Sequence, residues 1–179
     1  MSFSAEWDKA ISYEDFLKAA RENVELMKAR FNDLMINEEE AELLRSIQND
    51  IYILVIGTDR CYDTAGNLPV LARMASVSPR VHLRILDSDA NVEFHQLFKV
   101  NGKRKTPVVL FLNSNHEELC RWAERPNAAY KLINEKTNPS LEGRRDKLKQ
   151  LYSDPEILRQ SLGEFLTLLL RADFILGRH

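Results

Sequence analysis

An α/β fold, with a mixed sheet flanked by helices, is what the sequence predicts, and three observations predict it. Three short apolar runs, residues 51–56, 81–86 and 108–112, have the length and the β-branched content of strands. The first two are separated by a stretch in which Leu68, Leu71, Ala72 and Ala75 recur at helical spacing, and a strand–helix–strand order favours a parallel crossover. The third run is followed, after Asn113-Ser114-Asn115-His116, by residues 117–122, which read as its antiparallel hairpin partner. At 179 residues the chain is expected to form a single domain, 1–179, with a core that needs neither metal nor disulfide.

The elements follow in order. Ser12 is placed to cap a helix with Asp15, and Tyr13, Phe16, Leu17, Ala20, Val24, Met27 and Phe31 extend one helical stripe. Asn37 with Glu40 marks a second start, and its acidic first turn, Glu38-Glu39-Glu40, suits the positive end of a helix dipole. Leu43, Leu44 and Ile47 supply the inner face before Asn49-Asp50 ends it. After the first strand a helix is expected over residues 67–76, bent by Pro69 and stopped by Ser78-Pro79. His82 and Arg84 give the second strand a polar face. Residues 91–98 read as a helix anchored by Val92, Phe94, Leu97 and Phe98, with His95 on its accessible side and Asn101-Gly102 closing it. Lys103-Arg104-Lys105 reads as a solvated basic run. Beyond Arg125-Pro126 come a short helix over 128–135, a loop over 136–140 and a solvated helix over 142–150. Asp154-Pro155 then caps a last helix, whose broad apolar face (Ile157, Leu158, Leu162, Phe165, Leu166, Leu169, Leu176) covers the sheet. Leu168 and Leu170 widen that face enough to suggest a homodimer.

Composition narrows the function. The chain is 44% apolar and 29% charged, as a soluble globular protein is. Its net charge of -2, with no long basic tract, argues against a nucleic-acid partner. Residues 1–8 lack the pattern of a secretory signal, and Arg171 and Asp173 interrupt the most apolar late segment, so no membrane span is expected. The expected location is cytoplasmic. Cys61 and Cys120 make neither a disulfide framework nor a metal pair, and His82, His95 and His116 have no ligand spacing, so no metal site is expected. No glycine-rich phosphate loop is present.

The chemistry concentrates in Thr58-Asp59-Arg60-Cys61-Tyr62-Asp63-Thr64, between the first strand and the helix that follows. Unpaired backbone N–H groups at a helix start favour an anion, so a thiolate forms more easily there. The same position also suits an ordinary buried thiol.

The order of a strand, Cys61, a helical Pro69, Thr106-Pro107, a hairpin and a closing helix resembles the thioredoxin-like superfamily. The run from Cys61 to Leu71 resembles bacterial thioredoxin-family proteins with a C-P-D-C-like turn, altered here to C-Y-D-T. Arg121-Trp122-Ala123-Glu124-Arg125-Pro126 is similar to the same branch. The resemblance covers about residues 51–122 and leaves 12–48 and 127–176 as helical additions. It implies that Cys61 is the attacking cysteine, Thr64 stands at the resolving position, Tyr62 replaces the proline between them and Arg60 the tryptophan before them. Pro107 stands at the family's cis-proline, with Thr106 just before it. Arg60, Tyr62, Thr106 and Pro107 would then contact substrate. Thr64 cannot resolve a mixed disulfide, which disfavours two-thiol chemistry. The Thr64 hydroxyl and the Arg60 charge are expected to favour the Cys61 thiolate, and Asp63 to oppose it. Cys120, on the hairpin, is expected to be structural. Two functions stay open. One is monothiol exchange at Cys61 with a protein disulfide or a low-molecular-weight thiol, the latter as co-substrate and with no tightly bound cofactor. The other is a non-catalytic interaction module.

Overall fold

The structure, a computed structural model, describes residues 1–134 and 141–177. Its frame is a four-stranded sheet of β1 (Ile51–Gly57), β2 (Val81–Asp87), β3 (Val108–Leu112) and β4 (Glu118–Ala123), in the order β2-β1-β3-β4. β1 and β2 are parallel, in a register that pairs Ile51 with Val81 and Gly57 with Asp87. β1–β3 and β3–β4 are antiparallel. The mixed α/β fold expected from the sequence is the fold observed.

Alternation along the central strands sorts two cores. Ile51, Ile53 and Val55 of β1, with Val109 and Phe111 of β3, face one layer of helices. Leu54 and Ile56, with Val108, Leu110 and Leu112, face the other side. Strands covered on both faces need continuous apolar runs, which is why these two were legible.

The first layer holds α3 (Val24–Asp33), α4 (Glu38–Arg45), α5 (Tyr62–Val77) and α9 (Pro155–Leu176). The second face is covered by Phe3 together with Trp7 of α1 (Ser4–Lys9), and by Phe94 and Phe98 from α6 (Val92–His95) and the 3-10 turn Gln96–Phe98. Trp7 stacks on His116 with ring centroids 5.1 Å apart. At six residues, α1 is too short to declare a helical period.

Other expectations are corrected. The stripe over residues 13–31 is two helices, α2 (Tyr13–Ala19) and α3, separated where Asn23 takes φ 55°. Arg30, outside that stripe, is buried; it donates to the carbonyls of Gly66 (3.3 Å) and Asp154 (3.1 Å). Burial lowers its pKa to about 10. α5 begins at Tyr62, five residues before the start expected from the sequence. Gly66, Asn67 and Pro69, in the second turn, are poor helix formers and hide the true start. α5 is also buried on nearly every side from Asp63 to Ala72, so it shows no amphipathic period there. His95 is 1% exposed rather than accessible, while Leu97, expected as an anchor, is 57% exposed.

The capped starts at Ser12, Asn37 and Asp154 are present, Asn37 and Glu40 forming a full capping box. Beyond the hairpin lie α7 (Asn127–Asn134) and α8 (Leu141–Tyr152); the expected loop over 136–140 lies outside the described residues. Leu168 and Leu170, expected to broaden the apolar face of the last helix, are partly buried and pack against the core of their own chain. Among the described residues, no helix is long and apolar enough to cross a membrane, and no group of His, Cys, Asp or Glu side chains could hold a metal ion.

Candidate functional site

β1 delivers the chain to the site through Gly57. A Cβ there would sit 2.8 Å from Thr64 Cγ2, so only glycine lets the strand end pass this close to α5. A tight turn follows, in which Cys61 N–H donates to the Thr58 carbonyl (3.2 Å). Cys61 is then the N-cap of α5, with extended backbone, no side-chain capping bond, and a half-buried thiol. The helix start lends partial positive charge to whatever occupies this position.

Opposite the thiol lies the loop that enters β3. Cys61 Sγ–H donates to the Thr106 carbonyl at 3.5 Å, and the Thr106-Pro107 peptide is cis. The loop is anchored from two sides. Glu124 N–H donates to the Pro107 carbonyl (2.8 Å), and His95 Nε2 bonds the Lys105 carbonyl (2.9 Å). A carbonyl only accepts, so the proton sits on Nε2. Burial lowers the His95 pKa, which favours that neutral donor form.

The remaining residues expected at the site divide. Tyr62 opens α5, and the Arg145 guanidinium from α8 lies over its ring at 5.9 Å. Arg60 is exposed and forms an ion pair with Asp89. Thr64 is wholly buried, and its hydroxyl makes no hydrogen bond among the described residues. Asp59 binds the break before α3, its carboxylate accepting from Arg21 N–H (2.7 Å) and Glu22 N–H (3.0 Å). Burial works against this carboxylate, but those two N–H bonds bring its pKa below the ordinary value.

Asp63 was expected to be an unfavourable charge beside the thiol. Instead it turns into the protein, 6% exposed, and pairs with Arg125 at 2.6 Å. Tyr152 O–H donates to its other oxygen at 2.5 Å. Arg125 also bonds Glu124 (2.9 Å), and Glu124 accepts from Lys105 (2.9 Å) and from Tyr130 O–H (2.6 Å). Burial raises the Asp63 pKa against the pull of Arg125 and Tyr152. For Glu124 burial is outweighed by Tyr130, Lys105 and Arg125, and its pKa falls. Lys105 is therefore a partner of the site, not part of a solvated run. Sequence reasoning missed Glu124, Arg125 and His95 as supports. The available signal was a charged pair lodged between an apolar strand end and Pro126.

Cys120 lies elsewhere. It pairs with Phe111 across the hairpin, and its Sγ–H donates to the Leu168 carbonyl of α9 at 3.6 Å. Burial pushes its thiol up to about 11. The arrangement offers one thiol at a helix start beside a cis-proline, with no second thiol paired to it.

Residues 10–139 match the sequence family described as thioredoxin. The adenosylcobalamin biosynthesis bifunctional protein CobDQ of Leptospira interrogans is 22% identical over a 123-residue alignment that covers 59% of this chain and 14% of that much longer protein. A crystal structure of a Pseudomonas aeruginosa protein of unknown function superposes with a TM-score of 0.72 at 20% identity, covering 96% of this chain and 99% of that one. An HIV epitope-scaffold superposes with a TM-score of 0.72 at 17% identity, covering 94% and 98%. At these identities the structural likeness speaks for the fold alone.

Proposed function

The chain belongs to the thioredoxin family, and from that premise we propose that it performs monothiol thiol–disulfide exchange at Cys61. The observation that carries this reading is the position of the Cys61 thiol, half-buried at the start of α5 and 3.5 Å from the carbonyl preceding cis-Pro107. In the first step the Cys61 thiolate attacks one sulfur of a disulfide. The substrate S–S bond breaks, a mixed disulfide forms, and the departing thiolate takes a proton from water. Thr64 has no thiol with which to resolve that adduct. An external low-molecular-weight thiol therefore attacks the adduct, regenerates Cys61 and leaves as the oxidised product. Thr106 and Pro107 border the face from which the disulfide approaches, and Tyr62, next to Cys61 in the chain, would contact the substrate beside them. Arg60, turned toward Asp89, contributes through that pair rather than as a free charge at the sulfur.

Treating the folded protein with glutathione disulfide, then mapping adducts by peptide mass spectrometry, tests the reading. The expected adduct is on Cys61, is removed by reduced glutathione, and is absent in Cys61→Ser. If Cys61 is alkylated readily but takes no disulfide adduct, the exchange reading fails.

A non-catalytic interaction module is the second reading. Phe174 and Ile175, 66% and 38% exposed near the end of α9, favour it. A partner retained by Cys61→Ser and lost by Phe174→Asp would decide for that role.

A further inference from the structure

We infer that a ring of contacts through Asp63, Arg125, Glu124 and Lys105 positions the Cys61 thiol against the cis-proline loop, making these four positioning residues for disulfide attack. The inference rests on the exchange reading and adds to it the contacts that hold the turn and the loop in place.

The ring can be traced atom by atom. From Cys61 the chain runs through Tyr62 to Asp63, whose carboxylate bonds Arg125 at 2.6 Å. Arg125 bonds the Glu124 carboxylate at 2.9 Å, and that carboxylate accepts from Lys105 Nζ at 2.9 Å. Lys105 is covalently joined to Thr106, whose carbonyl accepts from Cys61 Sγ–H at 3.5 Å and closes the ring. Two segments far apart in sequence are thereby fixed to each other around the thiol.

Three features set this ring apart from incidental surface pairing. The Asp63, Arg125 and Glu124 side chains are 6%, 5% and 7% exposed. Burying charge carries a large desolvation cost that apolar packing would avoid, so a gain in stability does not account for these pairs. Glu124 also holds φ 69°, a left-handed conformation that a side-chain-bearing residue rarely adopts. That backbone is what lets one residue grip the loop twice, through its N–H on the Pro107 carbonyl at 2.8 Å and through its carboxylate on Lys105. Tyr130 occupies the second Glu124 oxygen at 2.6 Å, so the carboxylate has little freedom to turn away.

Positioning predicts a selective loss. Disulfide attack needs the two substrate sulfurs in line with Cys61 Sγ and passing over the Thr106-Pro107 loop, and small displacements of a reacting geometry can cost factors of ten or more. Alkylation by a small reagent needs only access to the thiol.

The test compares, on the Cys61 peptide, the rate of mixed-disulfide formation with bis(2-hydroxyethyl) disulfide and the rate of alkylation by iodoacetamide. Both probes are neutral, so removing a cation does not act through attraction. In the exchange the Cys61 thiolate forms the new S–S bond, the probe S–S bond breaks, and 2-mercaptoethanol leaves with a proton from water. The exchange-to-alkylation ratio is expected to fall about tenfold in Lys105→Met and in Arg125→Gln, and to return to within about threefold of wild type in Arg125→Lys. Lys105 is the more exposed member, at 29%, and its loss leaves Glu124 bonded to Arg125 and Tyr130, so Lys105→Met decides the matter if Arg125→Gln does not fold. A wild-type protein that exchanges, with Lys105→Met within about twofold of its ratio, overturns the positioning inference alone. A wild-type protein that alkylates at Cys61 but does not exchange overturns the exchange reading, and this inference with it.

Discussion

Thr64, set at the resolving position by the family resemblance alone, brings no thiol to the turn. Its side chain is fully buried and its hydroxyl lacks a partner among the described residues. A buried, unsatisfied hydroxyl opposes folding by about 1–3 kcal/mol. Thr64→Val should therefore keep or raise stability, by up to about 1 kcal/mol in urea denaturation. A loss of stability of about 1 kcal/mol or more would contradict an unsatisfied hydroxyl. Gly66 makes the opposite prediction. A Cβ there would meet the Tyr152 ring at 2.2 Å, and that ring is held by its bond to Asp63. The helical gain of about 1 kcal/mol from Gly66→Ala is smaller than the overpacking cost, so a net loss of about 1–3 kcal/mol is expected by denaturant titration. No change in the midpoint would show that Tyr152 can move aside.

At the level of elements, the site hangs on joints more than on helices or strands. The link between α2 and α3 is tied to the turn before Cys61 by the Asp59 carboxylate and by Asn23, whose side chain donates to the Asp59 carbonyl at 2.7 Å. Asp59→Ala removes an acceptor from two backbone N–H groups and should cost about 1–2 kcal/mol, as losing a helix cap does. Faster hydrogen exchange at Arg21 and Glu22 should accompany it; unchanged exchange there would contradict the joint. These joints also mark where sequence reading stops. Strands β1 and β3 were legible because both of their faces are buried, and the starts at Ser12, Asn37 and Asp154 because capping is local chemistry. The start of α5 was not, because tertiary burial overrides the poor propensity of Gly66, Asn67 and Pro69 in its second turn. Cys61, Thr106 and Pro107 were legible as candidates and the structure brings them together. The inward turn of Asp63 and the burial of His95 depend on partners 62 and 10 residues away, distances over which no local pattern reports.

For the whole molecule, the buried charges predict a pH dependence with a definite sign. Glu124 has its folded pKa lowered, so its contribution is complete above the unfolded value of about 4.3 and is lost as pH falls below it. Asp63, whose folded pKa is raised, acts in the opposite sense: its carboxylate costs stability at neutral pH, and protonation relieves that cost as pH falls. The stability gap between wild type and Glu124→Gln should therefore be widest above about pH 5 and narrow below about pH 4, read from denaturation midpoints across pH. A gap that widens on acidification would contradict the assignment of Glu124 as the favourably held carboxylate. Among the described residues, Asp63, Glu124 and Arg125 are three of the five buried carboxylate and guanidinium side chains, while Cys120 packs against the core beside α9.

The central claim, that Cys61 works as a single exchanging thiol, is tested most directly by following intact mass and the two cysteine peptides while folded protein turns over glutathione disulfide in the presence of excess reduced thiol. The account predicts a transient adduct of one glutathione on Cys61, formed and cleared repeatedly, with Cys120 unmodified. A Cys61 that stays free of adduct while remaining open to alkylation, or an adduct confined to Cys120, would contradict it.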